Sequence, residues 1–140
     1  MKFYLVGILG LLVTACMPGI PILNPKAPPR PASEVVNSAA LEPRAGAGAI
    51  VITRDPSLLR TKCTYEIALD GQVLAGLRTG EHVTIYADPG ARTLSVNIRP
   101  EGSCEPALAE VPLRVVANAT TTIRIVADAS YDLRIEATTY

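Results

Sequence analysis

The sequence predicts an all-β fold: an antiparallel β-sandwich of seven to eight strands after a disordered Pro-rich tether. Three observations carry that expectation. From Ile50 onward apolar and polar residues alternate in short runs, the period-2 signature of strands with one buried face. Turn dipeptides separate these runs at hairpin spacing. No comparable 3.6-residue period occurs in the same stretch, and 12 prolines with 10 glycines in 140 residues leave little room for long helices.

The chain opens with Met1-Lys2, an uncharged apolar run from Phe3 to Val13, and the small pair Thr14-Ala15 before Cys16. These are the n-, h- and c-regions of a secretory signal. The apolar run is shorter than the roughly 18 residues a membrane-spanning helix needs. Leu12-Val13-Thr14-Ala15-Cys16 resembles the lipobox of bacterial lipoproteins, an aliphatic residue and two small ones before an invariant Cys. Small side chains there leave the scissile bond and the thiol reachable at the membrane face. The resemblance implies cleavage after Ala15, a diacylglyceryl thioether on Cys16 and acylation, as by palmitate, of the new N-terminus. Two or three acyl chains at about 0.8 kcal/mol per buried methylene anchor a chain firmly. An ordinary secretory signal with a chance Cys is the plainer alternative. In Gram-negative families Asp after the lipidated Cys marks inner-membrane retention; Met17 stands there, so the resemblance implies the outer membrane, with the domain facing the periplasm.

Between Met17 and Arg44 lie seven of the prolines: Pro18, Pro21, Pro25, Pro28, Pro29, Pro31 and Pro43. Proline fixes φ and removes a donor, so this stretch is expected to be polyproline II or disordered, not packed. At about 3.1 Å per residue it would hold the domain on the order of 80 Å from the bilayer. Ser33 to Leu41 reads as a two-turn helix with Ser33 as N-cap, marginal at that length. Ala45 to Ala49 reads as a hinge. The expected division is a signal peptide at 1–15, a lipidated tether at 16–48 and the sandwich at 49–140.

Within the sandwich, strands are expected near 49–54, 63–69, 72–77, 82–87, 91–99, 109–117, 121–127 and 131–138. The clearest alternation sets Leu94, Val96 and Ile98 against Thr93, Ser95, Asn97 and Arg99. Asp70-Gly71 is a two-residue hairpin signal, because a type I′ turn needs φ > 0 at both positions. Asp88-Pro89-Gly90-Ala91 fits a type II turn, and Thr79-Gly80 and Asn118-Ala119 mark two further reversals.

With Cys16 assigned to lipid, Cys63 and Cys104 remain. An even pair in an exported chain reads as a disulfide. A bridge would require the 100–106 turn to lie at the sandwich end where the strand after Cys63 begins. A metal pair or redox dithiol is the alternative, without a CxxC spacing or partner His to support it.

Lys+Arg and Asp+Glu number 13 each, so the chain has no net field to draw nucleic acid. Few aromatics and no Trp oppose base-stacking or sugar platforms. His82 reads as a solvated residue at a strand start. Asp70 and Asp88 are explained by turns, and Glu66, Asp132 and Glu136 by outward strand positions. Arg92, Arg99, Arg114, Arg124 and Arg134 are also read as outward, forming a cross-strand ladder with acidic neighbours; a face for an anionic polymer is the sharper alternative. No phosphate loop, Ser elbow or HExxH helix occurs. No catalytic, cofactor-binding or metal-ligating residue is therefore assigned.

Tyr65 to Gln72, Leu77 to Glu81 and Tyr86 to Leu94 together form a strand ending in Asp-Gly, a Gly-Glu turn, and a Pro-Gly turn into an aliphatic strand. This series resembles PEGA-type domains and the β-sandwich domains of many bacterial lipoproteins. It departs from them in placing Ala91-Arg92 where His or a second basic residue is common. The resemblance implies a non-catalytic envelope protein, meeting a protein partner or serving envelope structure; a module binding a ligand or cell-wall fragment is the alternative.

Overall fold

The computed structural model describes residues 28–127 and 132–139. Ten strands lie among them: β1 (Arg30–Pro31), β2 (Glu34–Val35), β3 (Gly48–Arg54), β4 (Tyr65–Leu69), β5 (Gln72–Leu77), β6 (Glu81–Ala87), β7 (Gly90–Ile98), β8 (Leu108–Val115), β9 (Thr120–Ala127) and β10 (Leu133–Thr139). They form two five-stranded sheets, β1-β6-β3-β9-β10 and β2-β5-β4-β7-β8, packed as a sandwich. The expected fold class is present with ten strands where seven or eight were expected; the two extra are β1 and β2. Two pairings, β1 with β6 and β3 with β9, are parallel. Parallel neighbours need a long connection, and the chain supplies it by running through β4 to β8 between β3 and β9.

Period 2 builds the core as expected. Ile50 and Ile52 from β3, Val83 and Ile85 from β6, and Ile123 and Ile125 from β9 face Tyr65, Ile67, Leu94, Val96 and Ile98 of the other sheet, all buried. Ala68 of β4 and Ser95 of β7 break the alternation, and β5 departs furthest from it. Its register against β4 shifts between Ile67 and Ala68, a bulge that inserts an extra residue and buries Leu74 and Ala75 in succession. Asp70 and Gly71 take φ of 50° and 82°, the positive pair a type I′ hairpin requires. Gly90 and Asn118 also have positive φ, 135° and 57°.

The stretch from Pro28 to Leu41, expected to stay unpacked, instead straps one flank of the sandwich. β1 extends one sheet beside β6, and β2 extends the other beside β5. The Leu74 carbonyl accepts the N–H groups of both Val36 and Asn37 at 2.9 and 3.1 Å. The expected helix from Ser33 is replaced by β2 and a single 3-10 turn, Ser38–Leu41, whose Ala40 and Leu41 pack on the core. Proline did not prevent pairing because it sits where no donor is needed. Arg30 and Ala32 donate to Gly80 and His82 at 2.9 and 2.8 Å, so Pro31 between them turns its donorless nitrogen away from β6. That is an edge position where proline is tolerated and blocks further strand addition. The opposite flank is formed by β8 and β10, which remain edge strands among the described residues.

These directions define two ends. At one, here called proximal, β1, β2, β4, β6, β8 and β10 begin, and the loops 55–64, 78–80 and 99–107 gather. At the distal end lie the Asp70-Gly71 turn, the Asp88-Pro89 turn and the 116–119 turn.

Candidate functional site

Two inward positions at the proximal end carry charge where alternation calls for an apolar residue. Arg54 continues the Ile50–Ile52 face of β3 and is 2% exposed; Glu81 begins the Val83–Ile85 face of β6 and is 4% exposed. A charge so placed must be compensated. The Arg54 guanidinium donates to the carbonyls of Cys63 at 2.6 Å, Leu77 at 3.0 Å and Arg60 at 2.7 Å. It also stacks over the Tyr65 ring, 3.6 Å from the centroid, an attraction that strengthens on desolvation. Burial pulls its pKa below the ordinary arginine value, opposed by Tyr65 and by the Glu81 carboxylate; a guanidinium stays charged throughout the accessible pH range.

Glu81 spends one carboxylate oxygen on three donors. These are the Arg78 N–H at 2.8 Å and the N–H and hydroxyl of Ser33, each at 3.2 Å. Ser33 is thus a link between the strap and β6, not a helix cap. Sequence reasoning missed Arg54 and Glu81 as sites, although the signal was available: each shares the parity of the buried isoleucines beside it.

Cys63 and Cys104 are both buried and sit at disulfide distance, their Cα atoms 5.7 Å apart. The bridge joins the start of β4 to the 99–107 loop at the proximal end, the placement the sequence required. Cys63 therefore fixes this end twice, through its sulfur and through its carbonyl on Arg54. Beside it opens a cleft of about 730 Å3 lined by residues including Arg60, Ser103, Glu105, Leu108 and Asp132.

On the outer face the expected charge ladder is present in part. Arg99 pairs bidentately with Glu34 and also meets Glu66 at 3.0 Å and Glu101 at 3.2 Å. Glu34 reaches it across Gly76, its register partner on β5; a Cβ there would meet the Glu34 side chain at 3.2 Å and the Thr64 methyl at 2.8 Å. The Arg99 hydrogen bond holds Glu34 below its ordinary pKa, and Glu34 and Glu66 together raise that of Arg99. Arg124 pairs with Asp55 and Glu136 on the other sheet. Arg114 and Arg134 are exposed on outward positions, as expected.

Arg92 corrects the expectation. It shares the parity of Leu94, points inward at the distal end and is half-buried, pairing with Asp70 at 3.1 Å. Asp70 also accepts the Thr93 N–H at 2.9 Å, the first cause of its lowered pKa, with Arg92 adding to it. His82 stands at the start of β6, as expected, but is partly covered by the strap; its Nδ1 is 3.0 Å from the Arg30 carbonyl, so the ring donates there.

Cys16 and Ala15 lie outside the described residues. Among the described residues no group of three or more His, Cys, Asp or Glu could hold a metal ion. No family model matches the chain, and neither the curated proteins nor the solved structures searched include a match.

Proposed function

We propose that the chain is a non-catalytic, lipid-anchored protein of the bacterial cell envelope, tethered through Cys16 to the outer membrane and facing the periplasm. Its sandwich works by contact with a protein partner. The observation that supports this most is the order of parts: a sequence resembling a lipobox up to Cys16, then a sandwich whose two cysteines sit at disulfide distance. The carboxylates favour binding over catalysis. Glu34, Glu66, Asp70 and Glu81 are each occupied as acceptors by arginines or backbone donors.

The flank opposite the strap supplies a contact mode. β8 and β10 are unpaired on their outer sides among the described residues, and a partner segment can add to such an edge as a strand. A photo-crosslinking residue in place of Arg114 on β8 is expected to capture one discrete envelope protein. Crosslinks to no protein, or to many without preference, would overturn the partner reading. Cys16→Ser is expected to abolish acyl labelling and release the chain from membranes; normal processing and retention would overturn the anchor.

A second reading, binding of a small ligand or cell-wall fragment, is favoured by the cleft beside Cys104. Its lining alternates the charged Arg60, Glu105 and Asp132 with the apolar Ala107, Leu108 and Leu133.

A further inference from the structure

We infer that the proximal end of the sandwich rests on the bilayer surface, with Leu58 as its apolar contact and Arg30, Lys62 and Arg78 meeting lipid phosphates. The inference rests on the lipid anchor proposed above and adds to it the orientation of the domain.

Three observations converge. First, β1 runs parallel to β6, and β6 starts at the proximal end, so the chain preceding Arg30 leaves the sandwich there. Because the described residues reach back to Pro28, only twelve residue steps separate them from Cys16. Even fully extended they reach roughly 40 Å, half the distance the unpacked tether would have allowed. The end that carries the leash is the end held nearest the lipid.

Second, Leu58 is 81% exposed, the most exposed of the large apolar side chains described, and Leu108 at the same end is 63% exposed. Leu58 is held out by its loop. The Ser57 N–H donates to the Thr79 hydroxyl at 2.9 Å, that hydroxyl donates back to the Ser57 carbonyl at 3.3 Å, and the Leu59 N–H donates to the Ser57 hydroxyl at 3.0 Å. Arg54 fixes the loop from beneath through the Arg60 carbonyl. A braced loop presents its leucine without having to be ordered on contact, which removes part of the entropy cost of binding.

Third, the same corner is cationic. Thr79, joined to Ser57, also accepts the Arg30 guanidinium through its carbonyl at 3.3 Å. Arg78 precedes it, and Lys62 follows in the Leu58 loop; all three side chains are exposed. Of the nearby carboxylates, Asp55 pairs with Arg124, Glu81 is buried on Ser33 and Arg78 backbone donors, and Glu34 and Glu101 pair with Arg99, Glu34 also facing Arg78. Glu105 and Asp132 lie by the cleft near β8 and β10. An exposed apolar side chain at a cationic corner is the composition that lies in a lipid interface, where basic residues are drawn to an anionic surface.

The chain has no Trp, so a single introduced indole reports one position. Full-length, acylated Leu58→Trp protein reconstituted in phosphatidylethanolamine–phosphatidylglycerol vesicles is expected to emit at shorter wavelength than in detergent-free buffer and to be quenched by brominated acyl chains. Val116→Trp, at the distal end and also exposed, is expected to stay water-like and unquenched. A lipidated Leu58→Trp chain whose indole emits as it does in water overturns the contact alone. Quenching of both variants overturns the end-on orientation. A chain that carries no lipid at Cys16 overturns the anchor and, with it, this inference. Equal melting temperatures of the two variants and the parent establish that neither indole disturbs the fold.

Discussion

At the distal end the chain reverses through short turns whose residues fold themselves: Asp70-Gly71 with both φ positive, Gly90 after Pro89, and Asn118 in the left-handed region. Its ion pairs, Arg44 with Asp88 and Arg92 with Asp70, lie at the surface or half-buried. At the proximal end the loops 55–64 and 99–107 are long, and their local turns, with Arg60 and Gly102 at positive φ, do not span them. They are held from inside instead, by a buried guanidinium on three carbonyls and by the Cys63–Cys104 pair. Local sequence closes a short turn, because few dihedrals need fixing. A longer loop loses more entropy on closure and leaves more backbone groups to satisfy, so side chains from elsewhere in the chain must supply the partners.

Substitutions are therefore expected to hurt most at the proximal end. Arg54→Leu keeps the stem's bulk but strips the carbonyls of Arg60, Cys63 and Leu77 of their donor, and buried acceptors left unpaired are costly. A loss of about 3–5 kcal/mol is expected, read as a lower denaturant midpoint. Retention of the parent midpoint would show that the proximal loops close without this brace.

Next in size is the disulfide. The cysteines are 41 positions apart, and in the chain-entropy model closing such a loop stabilises by about 4 kcal/mol at most. Reduction is expected to lower the melting temperature while far-ultraviolet circular dichroism keeps its sheet signature, since Arg54 still holds the Cys63 carbonyl. Free thiols at both positions in protein purified from an oxidising compartment would leave Arg54 as the sole brace of this end. Gly71→Ala tests the other end. Its φ of 82° suits glycine and costs an L-residue about 1–2 kcal/mol. A penalty equal to that of Arg54→Leu would erase the contrast between the ends.

What the sequence disclosed follows the same division. Alternation and turn dipeptides placed the eight strands from Gly48 onward within about two residues of their observed limits, because each is decided by neighbours a few positions away. The Cys63–Cys104 pairing was legible by counting. The strap was not, because composition weighted its prolines while the deciding fact was long-range: Pro31 falls on the side of β1 that needs no donor. Arg54, Glu81 and Arg92 were misread or passed over for a related reason. Parity states which face of a strand a residue occupies. It does not state whether the opposite sheet covers that position, and charged residues were assigned outward by type.

Acid separates the ends by their carboxylates. Glu34, on the strap, is held below its ordinary 4.5 by the Arg99 hydrogen bond, and Asp70, in the distal turn, below its ordinary 3.8 chiefly by the Thr93 N–H. A carboxylate whose folded pKa is depressed contributes stability that is complete above the unfolded value and is lost as pH falls through the folded one. Melting temperature is therefore expected to fall below about pH 4.5 as the strap's pairing goes, with the distal turn following from about pH 3.8. Arg99→Met is expected to flatten the first part of that fall and Asp70→Asn the second. Identical profiles for the two variants would mean that these pairs do not carry the acid dependence.

The smallest expected effect lies beneath the strongest brace. The Tyr65 hydroxyl is buried with no hydrogen-bond partner among the described residues, although its ring is the platform for Arg54. A hydroxyl brought out of water without a partner opposes folding by about 1–3 kcal/mol, and phenylalanine keeps the ring while deleting that group. The cation–π contact survives the change, because Phe also presents a negative face. Tyr65→Phe is therefore expected to be neutral or stabilising, by less than about 1 kcal/mol once the small void left by the oxygen is set against the relief. Tyr65→Leu, which removes the ring, is expected to destabilise and to be non-additive with Arg54→Leu in a double-mutant cycle. Should Tyr65→Phe cost as much as Tyr65→Leu, the hydroxyl and not the ring face would be what steadies the guanidinium, and the proximal brace would rest on a hydrogen-bonded network instead of on stacking.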